Sequence, residues 1–397
     1  MIRKIPVTEL RPGMFVVDTG LSWMDYPYLF ADEGIIESSE QVLRIAEDYT
    51  EAFIDTERGT YATLDIGDGG MAEAVTSEAG ASPARVPLAM EIAHARKFYD
   101  ESLTFARSFM NAVGEGGGID YERSETFVEG VIDSVSRNPD ALVSMTKLRA
   151  FDEYTYTHCI NVAVLSTAFA EFRGLSRADL MDVGLAGLYH DIGKTLIPPR
   201  VLNKPGRLTE SEFNIIRKHP ERGLLMLRSG RPLPERVLRG VAEHHEKYNG
   251  SGYPARRRDE AIHPFARIIS LADVYDALTS RRVYKNGLSP HNALRIMYGM
   301  RGQDFHPGSV ERFIKFIGIY PVGALVRLDN GMHAVVCGSN SASPLLPEVI
   351  VAFDRDMRPV ERMRVDMAAQ AAGAVPVAIE ACLEPADYGI RTEEYLG

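Results

Sequence analysis

Residues 242–254, AEHHEKYNGSGYP, place two adjacent histidines directly before a turn-rich stretch. Neighbours on a helix point about 100° apart, so His244 and His245 cannot share one ordinary core position. The two glycines and the final proline that follow interrupt a helix and favour a tight loop. The pattern predicts that a helix ends near this pair and that both imidazoles serve a site beside the loop.

Composition and charge are those of an ordinary globular chain. With 397 residues, 45% hydrophobic and 25% charged, it can form two or three domains with a substantial core. The net charge of −11 argues against a nucleic acid polymer as a partner, although a local basic cluster can still bind a small anion. The first residues lack a signal-peptide pattern, and no run reaches the roughly 20 apolar residues of a membrane helix. We therefore expect a cytoplasmic protein without a membrane span.

Helical spacing dominates the middle of the chain, and the two flanks differ from it. Residues 323–338, GALVRLDNGMHAVVCG, alternate around an Asp-Asn-Gly turn, which predicts a β-hairpin, and EVIVAFD (348–354) predicts a third strand. Near the start, the pattern predicts a short strand at 14–17, a helix at 38–49 and a strand at 51–56. The predicted fold is mainly α, an all-helical domain flanked by a small α/β N-terminal module and a short β-rich C-terminal extension. The predicted boundaries are 1–66 for the N-terminal regulatory module, 67–87 for a flexible linker, 88–138 for a helical connector, 139–317 for the helical domain and 318–397 for the C-terminal extension and tail.

Histidines and carboxylates recur on separate helices of the central domain. Asp273 is the hardest to explain as a core residue, because an ionised carboxylate among apolar neighbours costs several kcal/mol unless a cation or strong donors meet it. Asp276, one turn later on the same face, doubles the problem, and a neighbouring arginine would satisfy one of the two. Five histidines and two aspartates together predict a two-metal centre. They are His158, His190, Asp191, His219, His244, His245 and Asp273.

Each of these residues alone also has a purely structural interpretation. A single buried histidine is more often a hydrogen-bonded core residue than a ligand. His219, which precedes a proline, fits a helix end, and His190 with Asp191 fits a local hydrogen-bonded pair. The metal interpretation depends on the seven residues converging.

The order of these motifs resembles the HD-GYP family of cyclic di-GMP phosphodiesterases, a branch of the HD metal-phosphohydrolases. The resemblance covers residues 140–317 and is carried by HDIGK (190–194), the HP at 219–220 and HHEKYNGSGYP (244–254). The front segment, IPVTELRPGMFVVD, is similar to the small N-terminal domain that often precedes HD-GYP domains. The resemblance implies an HD-type helical fold for the central domain.

The resemblance also implies a ligand set. One metal would be held by His158, His190, Asp191 and Asp273, and the other by Asp191, His219, His244 and His245. Iron or manganese is favoured over zinc, because the donors are imidazoles and carboxylates without a thiolate. Some members carry a glutamate one turn before the first histidine, associated with a third metal. Tyr154 stands there and Glu153 is out of phase, so two metals are predicted and a third is left open.

The implied reaction is hydrolysis of cyclic di-GMP to pGpG, with GMP as an open further product. A water bridging two divalent ions would be the nucleophile, with Asp191 and Lys194 as catalytic residues. TSRRVYK (279–285) resembles the family segment TSxRPYK, which places Arg282 and Lys285 on substrate phosphates. Gly252 and Tyr253 would lie near the guanine base. Simpler roles are a solvated lysine at a helix end for Lys194 and loop packing for Tyr253.

Two other functions remain open from the sequence. One is an HD hydrolase of another cyclic dinucleotide or nucleotide. The other is a non-catalytic sensor that binds cyclic di-GMP or a GGDEF-domain protein, which would be expected to lose ligands, whereas all seven are present here. The loop at 250–254 is also a candidate docking surface for GGDEF-domain proteins, and a homodimer is left open.

Overall fold

The N-terminal module is a small antiparallel sheet with one helix. The computed structural model describes residues 2–16, 34–36, 38–48, 51–55, 86–146, 154–202, 204, 208–280, 288–340, 343, 345–371, 377–383 and 385–396. The module contains strands β1 (Ile2–Pro6), β2 (Phe15–Val16), β3 (Gly34–Ile35) and β4 (Glu51–Asp55), and helix α1 (Ser39–Asp48). The strand order is β1-β4-β2-β3, with Ile2 opposite Asp55 in the first pair. The predicted helix and closing strand are thus present, and nearly all of the predicted linker lies outside the described residues.

The predicted connector, residues 88–138, is two helices that pack on the central domain, α2 (Leu88–Gly114) and α3 (Tyr121–Arg137). The next helix, α4 (Pro139–Met145), begins the predicted central domain. An apolar stripe with helical spacing on α2, which includes Ile92, Tyr99 and Phe109, is buried in the same core as the helices that follow. The carboxylate of Glu91 accepts two hydrogen bonds from Arg137, which fastens the start of α2 to the end of α3.

The secondary structure of the central domain is almost entirely helical in its described part. After α4 come α5 (Tyr154–Phe172), α6 (Arg177–Tyr189), α7 (Pro199–Leu202), α8 (Glu210–Ile216), α9 (His219–Arg228), α10 (Glu235–Glu243), α11 (Pro264–Thr279), α12 (Pro290–Gly299) and α13 (Ser309–Ile317). Helix α5 is buried on almost every side and packs closely on α6, where a Cβ on Gly187 would lie 3.0 Å from Ala163 Cα. Among the described helices, none is both long and apolar enough to cross a bilayer.

The C-terminal extension is an antiparallel sheet of strand order β8-β7-β6-β5-β9. Its elements are β5 (Leu325–Leu328), β6 (His333–Gly338), β7 (Glu348–Phe353), β8 (Pro359–Asp366), helix α14 (Met367–Ala371) and β9 (Ile379–Leu383). The predicted hairpin is confirmed, with Leu325 opposite Val335, and so is the third strand. The sequence did not indicate β8, because residues on both of its faces are exposed and no apolar alternation marks it. The mainly helical fold with two β-containing flanks agrees with the prediction.

Candidate metal centre

The two adjacent residue pairs lie where helices end. Helix α6 ends at Tyr189 with His190 as its C-cap, and α10 ends at Glu243 with His244 as its C-cap. Side chains that follow a helix end are no longer held about 100° apart by helical geometry. Asp191 and His245 can therefore turn toward the same space as the histidines before them.

Asp191 lies between two groups of imidazoles, with one carboxylate oxygen toward each group. Its Oδ2 is 3.6 Å from His158 Nε2 and 3.3 Å from His190 Nε2. Its Oδ1 is 3.1 Å from His219 Nε2 and 3.9 Å from His244 Nε2. A carboxylate in this position has the geometry to bridge two cations.

Asp273 and His245 complete the two groups. Asp273 Oδ1 is 3.2 Å from His158 Nε2, and Asp273 Oδ2 is 3.9 Å from His245 Nδ1. The possible ligand atoms form two sets, and within each set they lie within 4.8 Å of one another. One set is Asp191, His219, His244 and His245, and the other is His158, His190 and Asp273. The structure thus brings all seven residues singled out in the sequence into one place.

Backbone contacts orient three of the imidazoles in the same way. In each, Nδ1 donates to the carbonyl three residues earlier, at 2.7 Å for His190, 2.9 Å for His219 and 2.7 Å for His244. Because a carbonyl can only accept, the neutral rings carry their lone pairs on Nε2. His219 Nε2 and His244 Nε2 lie 3.2 Å apart, and the buried Asp191 Oδ1 accepts no hydrogen bond from any described residue. Converging lone pairs beside an unsatisfied buried carboxylate oxygen fit divalent cations.

Asp276 supports the centre from behind His158. Its Oδ2 accepts from His158 Nδ1 at 2.7 Å, and its Oδ1 accepts from Asn161 Nδ2 at 2.7 Å and from Ser280 Oγ at 3.0 Å. The second carboxylate that the sequence could not explain is therefore satisfied by an imidazole and an amide, and no arginine contacts it within the described part of the chain. A carboxylate behind a histidine fixes the ring orientation and raises its basicity as a ligand.

The loop after the double histidine is fastened to His245. Tyr253 N donates to the His245 carbonyl at 3.1 Å, and the Tyr253 ring stacks on the His245 ring with centroids 4.7 Å apart. A Cβ on Gly252 would lie 2.5 Å from the His245 carbonyl oxygen, so only glycine allows the backbone to pass this close. Gly250 has φ +80°, in the left-handed region. The loop thus places Tyr253 directly beside the donors.

Of the remaining predicted site residues, the structure describes Lys194 but not the two proposed phosphate-binding residues. Lys194 Nζ is 2.5 Å from Asp191 Oδ2, with the lysine side chain 26% exposed, so its charge lies between solvent and the shared carboxylate. Arg282, Lys285 and Glu153 lie outside the described residues, as does the side chain of Tyr154.

Comparison with known proteins assigns the chain to a family. The HD domain model matches residues 130–308, and a domain of unknown function, DUF3391, matches residues 2–124. The cyclic di-GMP phosphodiesterase PA4108 of Pseudomonas aeruginosa is 39% identical over 374 residues, which are 92% of this chain and 89% of that relative. The chain belongs to the HD-GYP family. The HD domain model and the DUF3391 model together match parts of both the N-terminal module and the helical domain of this HD-GYP protein.

Other HD-GYP relatives resemble only part of the chain. The cyclic di-GMP phosphodiesterase response regulator RpfG of Xanthomonas campestris is 42% identical over 147 residues, 37% of this chain and 39% of the relative. The 3′3′-cGAMP-specific phosphodiesterase 2 of Vibrio cholerae is 36% identical over 162 residues, 41% of this chain and 31% of the relative. These matches cover less than half of either chain.

Two buried glutamates of this HD-GYP protein were not identified from the sequence. Glu246 accepts from Ala255 N at 2.6 Å and from Arg257 N at 2.9 Å, so it fastens the chain just beyond the GYP loop. Glu243 accepts from Arg239 Nε at 2.7 Å and from His263 N at 2.8 Å. They flank the double histidine in EHHE, but the sequence does not distinguish buried carboxylates from solvated ones when backbone donors reach them only through the fold, as Ala255 N, Arg257 N and His263 N do.

The metal-free centre has strongly shifted pKa values. Burial, with repulsion from His190 and His219, lowers the pKa of His244 to about 3, and burial lowers the pKa of His219. Burial also opposes protonation of His158, but hydrogen bonds to Asp273 and Asp276 outweigh it and raise its pKa to about 9. Burial would raise the pKa of Asp191, but the charge of Lys194 and the imidazoles lower it well below its usual range. At neutral pH, His219 and His244 are therefore uncharged and Asp191 is ionised, whereas His158 is protonated.

We expect the stability of the metal-free protein to fall on both sides of about pH 6.5. Between that value, which is the histidine pKa in the unfolded state, and about 3, the unfolded state protonates His244 before the folded state does, and the lowered pKa of His219 acts in the same direction. His244 then costs up to about 1.4 kcal/mol of stability per pH unit as the pH falls. His158 changes the stability in the opposite direction. Its stabilising contribution is fully present below about pH 6.5 and is lost as the pH rises through about 9.

Chemical denaturation of chelator-treated protein from pH 5 to 9 measures this dependence. His244→Gln should reduce the acid-side slope, whereas the same change at the exposed His94 should not. An acid-side slope that His244→Gln leaves unchanged would contradict the assignment.

Proposed function

We propose that this protein is a metal-dependent phosphodiesterase that hydrolyses cyclic di-GMP to pGpG. The observation that carries the proposal is the position of Asp191, with one oxygen toward each of two imidazole groups. The name of the Pseudomonas relative, which is similar to this chain over nearly its whole length, supports the choice of substrate. We also propose that pGpG is hydrolysed further to GMP, which the nucleotide assay described below tests.

The proposed ligand roles follow the two groups around Asp191. His158, His190, Asp191 and Asp273 would hold one cation, and Asp191, His219, His244 and His245 the other. When bound, two such ions supply an activated water and stabilise the charge that develops on the phosphate. The donors are imidazole and carboxylate without thiolate, which favours iron or manganese.

The protein's own residues would orient the substrate and move protons. Lys194, whose Nζ is 2.5 Å from Asp191 Oδ2, is proposed to stabilise negative charge on the scissile phosphate and to donate a proton to the departing 3′-oxygen. Arg282 and Lys285 are proposed to bind the substrate phosphates. The Tyr253 ring is proposed to contact a guanine base, with Gly252 allowing the loop to approach.

A nucleotide assay with metal-loaded protein tests the proposal. Protein purified without oxygen and loaded with Fe²⁺ or Mn²⁺ should convert cyclic di-GMP to pGpG. Chromatography of the products measures this conversion. Metal analysis of the same preparation should find about two ions per chain. Absence of turnover with Fe²⁺, Mn²⁺ and other divalent ions would refute the assignment.

A second substrate requires a direct comparison, because three relatives from Vibrio cholerae, each similar to part of this chain, are named 3′3′-cGAMP-specific phosphodiesterases. Cyclic di-GMP and 3′3′-cGAMP should therefore be assayed in competition. We expect the larger kcat/KM for cyclic di-GMP, and the reverse order would change the proposed substrate without changing the chemistry.

Docking of a partner is a separate part of the proposal. The basic run at 256–258 is exposed and directly follows the GYP loop, which makes this surface the proposed contact for a GGDEF-domain protein. We also propose that the protein forms a homodimer, which analytical sedimentation of the full-length chain tests.

A further inference from the structure

A chain of buried hydrogen bonds joins helix α2 to the metal centre. Tyr99 OH, on α2, donates to Asn161 Oδ1 on α5 at 2.5 Å, and Asn161 Nδ2 donates to Asp276 Oδ1 at 2.7 Å. Asp276 Oδ2 then accepts from His158 Nδ1 at 2.7 Å. The path therefore runs from a tyrosine outside the predicted catalytic domain to a proposed ligand in three steps.

Every group along the path is buried, and the hydrogen-bond directions follow from Asp276, because an ionised carboxylate can only accept. Tyr99 and Asp276 are each 1% exposed and Asn161 is fully buried. The tyrosine hydroxyl donates to the amide oxygen, which turns the amide nitrogen toward Asp276, and that nitrogen also donates to the Thr146 carbonyl at 3.2 Å. Without the hydroxyl, the Asn161 oxygen would lose this donor in a site shielded from water, and the amide orientation would be less strongly held.

We infer that Tyr99 is a positioning residue for the metal centre and that helix α2 is part of that centre. Tyr99 lies within residues 2–124, the stretch matched by the domain of unknown function, and outside residues 130–308, which the HD domain model matches. The N-terminal region thus supplies the last member of the hydrogen-bond path that orients His158. The inference rests on the metal centre proposed above.

Metal affinity of a Tyr99→Phe protein tests the inference, and a matched control is present on the same two helices. Tyr156 on α5 donates to Asn111 Oδ1 on α2 at 2.7 Å, at the surface and off the path to Asp276. Both Tyr→Phe changes remove one tyrosine–asparagine hydrogen bond between α2 and α5. With Co²⁺ as the probe in the full-length chain, Tyr99→Phe should weaken binding of one of two ions about fivefold, less than the roughly tenfold or more that a direct partner of a ligand contributes, because Tyr99 acts through Asn161 and Asp276. Tyr156→Phe should stay within about twofold of the parent protein.

Two further measurements separate positioning from general destabilisation. The absorption spectrum of bound Co²⁺ reports ligand arrangement, and it should change in Tyr99→Phe but not in Tyr156→Phe. In a double-mutant cycle, Tyr99→Phe should have little further effect on affinity once Asn161→Ala is present, because the path is already broken.

The possible results distinguish this inference from the metal centre itself. If the parent protein binds no Co²⁺, both the metal centre and the inference are overturned. If it binds two ions but Tyr99→Phe binds them equally well with an unchanged spectrum, or if the effects of the two changes simply add, the metal centre stands and only the inference fails.

Discussion

Replacing Asp191 with asparagine is expected to lower kcat/KM for cyclic di-GMP by at least about a thousandfold, corresponding to about 4 kcal/mol of lost transition-state stabilisation. The carboxylate has one oxygen toward His158 and His190 and the other toward His219 and His244. The amide keeps the shape but removes the charge, so a bridging ligand would be lost from both metal sites at once. Steady-state assays together with metal analysis measure the change, which should include loss of at least one ion per chain.

The matched control is Asp133→Asn on α3. Asp133 is exposed and pairs with Arg177 at 3.0 Å on the surface, where such a pair contributes little. This variant should keep parental activity and metal content. An Asp191→Asn protein that keeps two ions and more than about a tenth of parental turnover would contradict the bridging role.

Gly193→Ala is expected to destabilise the protein by about 3 kcal/mol and to weaken metal binding. A Cβ on Gly193 would lie 2.1 Å from the His219 carbonyl oxygen and 2.6 Å from Gly223 N. Both atoms belong to the backbone of α9, so a rotamer change cannot relieve the contact. Helix α9 would have to move and carry the His219 imidazole away from Asp191. Chemical denaturation and metal titration measure the two effects.

Gly114→Ala is the control for this substitution. Gly114 ends α2, and a Cβ there would have no atom within 4 Å, so the change should be close to neutral. If Gly193→Ala matched it in stability and metal affinity, the close approach of α9 to the HDIGK segment would not be needed to place His219.

Much of the centre could be predicted from residue order alone. The double histidine followed by glycines indicated a helix end, and α10 does end at Glu243 with His244 as its C-cap. An aspartate among apolar neighbours indicated a need for a cation or strong donors, which is a local property of the chain. The helical domain and the β5–β6 hairpin were likewise local patterns, of period 3.6 and 2.

Other elements depended on contacts between residues far apart in the chain. Strand β9 is defined by its pairing with β5, and β8 by its pairing with β7, although neither carries a clear apolar alternation. Strand identity in such segments comes from a partner strand and not from the segment's own residues, so sequence periodicity does not reveal it.

The sequence by itself determined which side chains are chemically able to bind cations and that the double histidine stands at a helix end. Only the tertiary structure decided how they face one another, which oxygen of Asp191 meets which imidazoles, and that His158 is backed by Asp276 and, through Asn161, by Tyr99. The physical reason is that donor identity belongs to each residue, whereas hydrogen-bond direction depends on a partner that the fold brings in. His158 and Asp276 are 118 positions apart and Tyr99 and Asn161 are 62 apart, so no local pattern encodes these contacts.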